Sequence, residues 1–248
     1  MKKERRPLII KLANLVMPLF YKIKFGLTIK GKENLPESGP AIICSSHVTA
    51  HDPIMIGCYS KRFIHYMAKD SLFKNKLLAA FLRHVGAFPI SRGTGDMSAI
   101  NEGMDYIKNG GVMCIFLEGT RSKDGVPAKP KSGVGLIAAQ TKVPVVPVAI
   151  IGENGRNPKQ TKKAILNIGK PIPYEELGVD ETNSRSYRKA ASYIMNRILE
   201  LRSESISLMG GEDLATKEAE ERKAQEKAEK EAKKALAAAN ENAEKEAD

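Results

Sequence analysis

The 248-residue sequence has no tryptophan, and aromatic residues make up only 6% of it. Proteins that read nucleic acids often interleave basic side chains with aromatic ones. No zinc-finger spacing and no RNA-binding signature offsets the scarcity, so no nucleic-acid partner is expected. Cysteine is nearly absent too. Cys44, Cys58 and Cys114 form no spaced framework, and the simplest account is free, buried thiols in a reducing compartment. Histidine occurs four times, and His-Glu-x-x-His is missing. His47 and His51 stand four apart beside Asp52, but the segment reads as a turn, so the two rings need not share a face. No metal and no resident cofactor is expected.

A long apolar run is also lacking. The best candidate, Pro7 to Phe25, is interrupted by Lys11 and Asn14, and no small-residue cleavage site follows it. That argues against a signal peptide and against a bilayer span. Stepped as a helix, Lys11, Asn14, Pro18 and Lys22 fall on one narrow strip. Leu8, Ile9, Leu12, Leu15, Val16, Leu19, Phe20 and Ile23 fill the opposite arc. With the basic flank Lys2, Lys3, Arg5 and Arg6, this is the pattern of a helix lying in a membrane interface. The bland alternative is a helix packed on the protein's own core.

Acidic residues are in deficit. Lys and Arg number 40 against 29 Asp and Glu, a formal charge of +11. The excess is uneven. Residues 212–248 hold 8 basic and 12 acidic side chains, so the remaining 211 residues carry +15. A body this basic expects an anionic partner, either anionic lipid or a phosphorylated substrate.

Apolar runs punctuated by turn residues supply the architecture. Short strands are expected at Leu27–Lys30, Ala41–Cys44, His65–Ala68, Gly86–Ile90, Val112–Leu117, Val145–Ile151 and Ala164–Ile168. Helical periods fall between them. One begins at Asp52-Pro53 with Asp52 as its cap, one is capped by Asp70 or Ser71, and one is capped by Asp96. Others follow Ser132 and span Ser184 to Leu201. The fold expected is α/β, with a mostly parallel central sheet and helices on both faces. Three units are expected: 1–25 as an amphipathic membrane-interface helix, 26–210 as the α/β domain, and 211–248 as an Ala/Glu/Lys-rich, solvated, partly helical tail.

Polar residues gather where strands end. His47, in a turn, has a carboxylate five positions on at Asp52, which suits a general base and its orienting partner. Taken alone, the pair reads more readily as a structural His and a capping Asp. Ser91-Arg92-Gly93 and Glu118-Gly119-Thr120-Arg121 close two further strands, and Lys69 follows another. In a parallel sheet these ends share one edge, so Lys69, Arg92 and Arg121 would make a cationic cleft suited to phosphate.

Four ordered segments, His47-x-x-x-x-Asp52, Gly86-Ala87-Phe88-Pro89-Ile90-Ser91-Arg92, Phe116-Leu117-Glu118-Gly119-Thr120-Arg121-Ser122 and Val143-Pro144-Val145-Val146-Pro147-Val148, together resemble the sequence blocks of the glycerolipid acyltransferases. Tyr66-Met67-Ala68-Lys69 is similar to the segment whose Lys helps bind phosphate. The likeness covers roughly Leu27 to Pro173 and departs at Ser46, where the family commonly has Asn.

The resemblance implies a glycerol-3-phosphate acyltransferase-like fold. It also implies passage of a fatty acyl group from acyl-CoA or acyl carrier protein to the sn-2 hydroxyl of lysophosphatidic acid, giving phosphatidic acid. His47 and Asp52 would be catalytic. Lys69, Arg92, Glu118, Gly119, Thr120 and Arg121 would form the phosphate region, with Glu118 ordering Arg121 or the loop. An anionic membrane surface, reached from the cytoplasmic face by a peripheral or monotopic protein, would be the setting. Two alternatives stay open: the same chemistry on glycerol 3-phosphate or another lysophospholipid, and a non-catalytic membrane-surface adaptor.

Overall fold

The computed structural model describes residues 6–246 apart from 92, 94 and 123, with side chains up to 231. Each apolar run between turn signals becomes a strand, and the periodic segments between them become helices. In chain order the elements are α1 (Leu8–Phe25), β1 (Leu27–Lys30), β2 (Ala41–Ser45), α2 (Asp52–Gly57), β3 (Ile64–Lys69), α3 (Lys76–His84), β4 (Ala87–Ile90) and α4 (Met97–Lys108). Then come β5 (Val112–Phe116), α5 (Gly133–Thr141), β6 (Val145–Gly152), β7 (Ala164–Ile168), α6 (Ser184–Leu208) and α7 (Leu214–Glu246).

The strands make one seven-stranded sheet in the order β1-β7-β6-β2-β5-β3-β4. Neighbours from β6 to β4 are all parallel, and β7 turns antiparallel to β6. The central strands β2, β5 and β6 are nearly continuous apolar runs because both of their faces are covered. On β2, Ile42 and Cys44 point into a core with Ile107, Ile137, Ile194 and Ile198 from α4, α5 and α6. Ile43 points the other way, towards Tyr21, Phe25, Met55 and Ile56 of α1 and α2. Gly135 lets α5 meet α6, since a Cβ there would run into the backbone of Tyr187.

Several local expectations are corrected. Asp52 does not cap α2; its carboxylate turns back into the preceding turn, where Val48 and Thr49 offer donors. The segment after β3 first makes a 3₁₀ turn, Asp70–Phe73, and Asn75 caps α3 by accepting from Leu77 and Leu78 N–H. Ser132 makes no side-chain cap to α5. The helix expected to stop at Leu201 continues to Leu208, because Ser205 and Ile206 still face the core. The tail is helical, but its start is docked: Ala215 and Ala219 are buried, and Arg202 binds both Asp213 and the Gly155 carbonyl. Arg222 and Asp124 form a second tie at 2.5 Å.

α1 inverts the usual placement of an apolar arc. Tyr21 and Phe25 are buried, and Asn14 donates to the Ser60 carbonyl at 3.2 Å. Leu8, Leu15 and Ile23 are 80%, 77% and 78% exposed. Among the described residues, no helix is long and apolar enough to cross a membrane.

Candidate active site

β2, β5, β3 and β4 are consecutive parallel neighbours, so their C-terminal ends open on one edge of the sheet. The His47 turn leaves β2, the Glu118–Arg121 loop leaves β5, and Lys69 ends β3. Open α/β sheets bind ligands at this edge. Arg92, after β4, lies outside the described residues.

His47 Nδ1 lies 2.7 Å from Asp52 Oδ2. The same oxygen accepts from Val48 N–H at 2.7 Å and Thr49 N–H at 2.9 Å, while Oδ1 accepts from the Thr49 hydroxyl at 2.6 Å. Asp52 is fully buried, and these four donors fix its orientation. Because Oδ2 accepts throughout, Nδ1 carries the ring hydrogen, which leaves the Nε2 lone pair available as a base. Phe116 stacks on the His47 ring with centroids 4.1 Å apart, so the imidazole is clamped on a second side.

The turn itself is tied down from three directions. His47 N–H donates to Glu118 Oε1 at 3.0 Å, Ser122 N–H donates to the His47 carbonyl at 2.7 Å, and Asn157 Nδ2 donates to the Val48 carbonyl at 2.7 Å. Glu118 completes its bonding by accepting Ala128 N–H on Oε2 at 3.0 Å. Its buried carboxylate therefore joins the β2 turn to the loop after β5. Burial raises its pKa against the opposing effect of those two N–H groups.

Gly119 sits at φ 71°, and Lys131 passes over it, with Cε 3.3 Å from where a Cβ would be. Thr120, Arg121 and Lys69 are exposed at this edge. Ser46 Oγ is buried without a hydrogen-bond partner.

His51 faces away. Its ring packs edge-on against Tyr21 and Phe25, with Nδ1 3.4 Å from the Tyr21 hydroxyl. Among the described residues no group of three His, Cys, Asp or Glu is arranged to hold a metal. Sequence reasoning missed Thr49, Phe116 and Asn157 as parts of the site. Thr49 and Phe116 lie inside the quoted motifs, and the alternation of β5 points Phe116 to the His47 side. No local signal marks Asn157, which arrives from the turn after β6.

A family model described as Acyltransferase matches residues 26–151. Over 158 residues the chain is 34% identical to the 1-acyl-sn-glycerol-3-phosphate acyltransferase of Bacillus subtilis, covering 63% of this chain and 78% of that protein. It is 33% identical over 153 residues to the chloroplastic 1-acyl-sn-glycerol-3-phosphate acyltransferase LPAT1 of Arabidopsis thaliana, covering 60% of this chain and 41% of that one. The solved structure of the 1-acyl-sn-glycerophosphate acyltransferase PlsC from Thermotoga maritima has the same fold, with a TM-score of 0.61 over 79% of this chain and 80% of that chain at 24% identity.

Proposed function

The chain belongs to the acyltransferase family, and from that premise we propose that it acylates the sn-2 hydroxyl of 1-acyl-sn-glycerol 3-phosphate, making phosphatidic acid for phospholipid synthesis. The donor is an acyl thioester, of coenzyme A or of acyl carrier protein. The observation that carries the reading is the 2.7 Å contact of His47 Nδ1 with the buried Asp52, on the sheet edge that also bears Lys69 and Arg121.

In this reading His47 Nε2 takes the proton of the acceptor hydroxyl as its oxygen attacks the thioester carbonyl carbon. Asp52 holds the tautomer and stabilises the imidazolium that forms, as a triad carboxylate does. The tetrahedral intermediate collapses, the C–S bond breaks, and His47 returns the proton to the thiolate. An ester and a free thiol result. The substrate hydroxyl is the nucleophile, so no enzyme Ser or Cys carries the acyl group. The three buried, free cysteines suit that scheme, since burial raises the pKa of Cys44 and Cys114 and disfavours thiolate.

Arg121, Lys69 and Arg92 bind the acceptor phosphate, with Gly119 and Thr120 giving close approach and a hydroxyl donor. Glu118 positions the loop. The exposed apolar arc of α1 supports an interfacial helix on the cytoplasmic face of the membrane, where lysolipid and product both reside. Residues 26–210 form the acyltransferase unit, with 1–25 as its membrane element and 211–248 as an appended tail.

The test supplies both thioester classes with a panel of acceptors and identifies products by mass. Phosphatidic acid formed from 1-acyl-sn-glycerol 3-phosphate supports the reading. Exclusive acylation of glycerol 3-phosphate or of a neutral-headgroup lysolipid would move the acceptor, and no transfer at all would favour a non-catalytic surface protein.

A further inference from the structure

α3 has no buried residue, although it links two strands of the central sheet. Ala79 and Leu82 are its half-buried side. Leu77 is 84% exposed, and Leu72, Leu78 and Phe81 stand in solvent beside it. A connecting helix of a soluble protein ordinarily turns its apolar stripe inward and its polar stripe outward. Exposed Lys74, Lys76 and Arg83 surround the patch, and Arg83 lies 5.3 Å from the Phe73 ring. Asp70 is the only acid between residues 69 and 86, and it is occupied by the Ser91 hydroxyl at 2.8 Å.

The topology puts this patch on the same side of the sheet as α1. β2 to β3 and β3 to β4 are parallel crossovers that step in one direction across the sheet, so right-handed connections place α2 and α3 on one face. β4 to β5 and β5 to β6 step back, and α4 and α5 accordingly lie on the other face. α1 packs on the α2 face. Two exposed apolar arcs with basic margins therefore share one side of the molecule. A second copy of this chain would bring two cationic rims together, whereas anionic headgroups complement them.

We propose that α3 is a second membrane-contacting element. Leu72, Leu77, Leu78 and Phe81 enter the boundary between headgroups and acyl chains of an anionic bilayer, and Lys74, Lys76 and Arg83 meet its phosphates. The proposal deepens the interfacial reading of α1 and can fail separately from it. Lys69 ends the strand leading into this segment. Two-point attachment holds it at headgroup depth, where a lysolipid phosphate reaches the cleft without leaving the membrane.

The absence of tryptophan allows a direct test. Leu77→Trp, Leu15→Trp and Leu208→Trp are made singly in the full chain. Each is mixed with phosphatidylglycerol or phosphatidylcholine vesicles containing lipids brominated on the acyl chain. Leu77→Trp fluorescence is expected to shift to the blue and be quenched on phosphatidylglycerol, less so in high salt. Leu208→Trp, exposed on α6, is expected to stay unchanged. The double change Leu77→Ser with Phe81→Ser should lower vesicle partitioning roughly tenfold.

If Leu15→Trp is quenched and Leu77→Trp is not, α1 alone holds the membrane and the proposal is overturned. If only Leu77→Trp is quenched, the membrane contact of α3 stands, and the reading of α1 fails together with the two-point attachment. A blue shift of Leu77→Trp that grows with protein concentration without vesicles would mean self-association through this face, and would also overturn it.

Discussion

The backbone N–H of His47 donates to Oε1 of Glu118 at 3.0 Å and so fastens the end of β2 to the end of β5. The second carboxylate oxygen of Glu118 holds Ala128 N–H, which extends the tie into the loop that follows Arg121. The His47 turn and the loop after β5 are thus parts of one hydrogen-bonded unit. In the proposed mechanism Glu118 would act through that unit, as a positioning residue.

Glu118→Gln should disturb this unit without removing bulk. The amide keeps one acceptor oxygen and turns a donor towards the other buried N–H. An unpaired buried donor costs about 1–3 kcal/mol, so the urea midpoint should fall. Misplacing the His47 turn should lower kcat more than it raises the acceptor KM. Equal kcat and an equal urea midpoint in the variant would contradict the positioning role.

Arg121→Ala should act on the acceptor. Losing one charge-assisted hydrogen bond should raise acceptor KM by roughly tenfold or more and leave donor KM nearly unchanged. Steady-state kinetics varying each substrate in turn separate the two. A collapse of donor binding with acceptor KM intact would assign the cationic loop to the thioester carrier.

His51 should make stability pH-dependent without touching chemistry. Its pKa is lowered, first by burial and then by Lys159 and Lys24, against a smaller opposing pull from Asp52. The unfolded chain therefore takes up this proton at a higher pH than the folded chain does. The associated stability is present above about pH 6.5 and is lost as pH falls from there towards the depressed folded value. Urea midpoints at pH 7.5 and pH 5.5 should differ less in His51→Gln than in the unaltered chain. Identical drops in both proteins would remove His51 from the account.

Much of the fold could be read from the chain. The buried runs at Ala41, Val112 and Val145 gave parallel strands because only doubly covered strands are apolar on both faces. The strand-end polar residues at His47, Lys69 and Glu118–Arg121 then fell on one edge. Local rules misled at Asp52, where the helix-start signal was genuine but the carboxylate found better donors behind it, in the turn it stabilises. Asn157 and the docking of Arg202 on Asp213 depend on segments far apart in sequence, and no spacing announces them. The outward turn of α3 was hidden for a different reason. Its apolar period was visible, but periodicity alone does not say whether the partner is the protein or something outside it.

Most directly, the central claim is tested by initial rates of product formation for His47→Ala, Asp52→Asn and His51→Ala beside the unaltered chain, with 1-acyl-sn-glycerol 3-phosphate as acceptor and the product identified by mass. Loss of a general base typically costs about 10²–10⁴-fold. His47→Ala should fall in that range with the protein still folded. Asp52→Asn should also fall by orders of magnitude, and His51→Ala should change little. Unaltered turnover in His47→Ala, or equal losses at His47 and His51, would contradict the account.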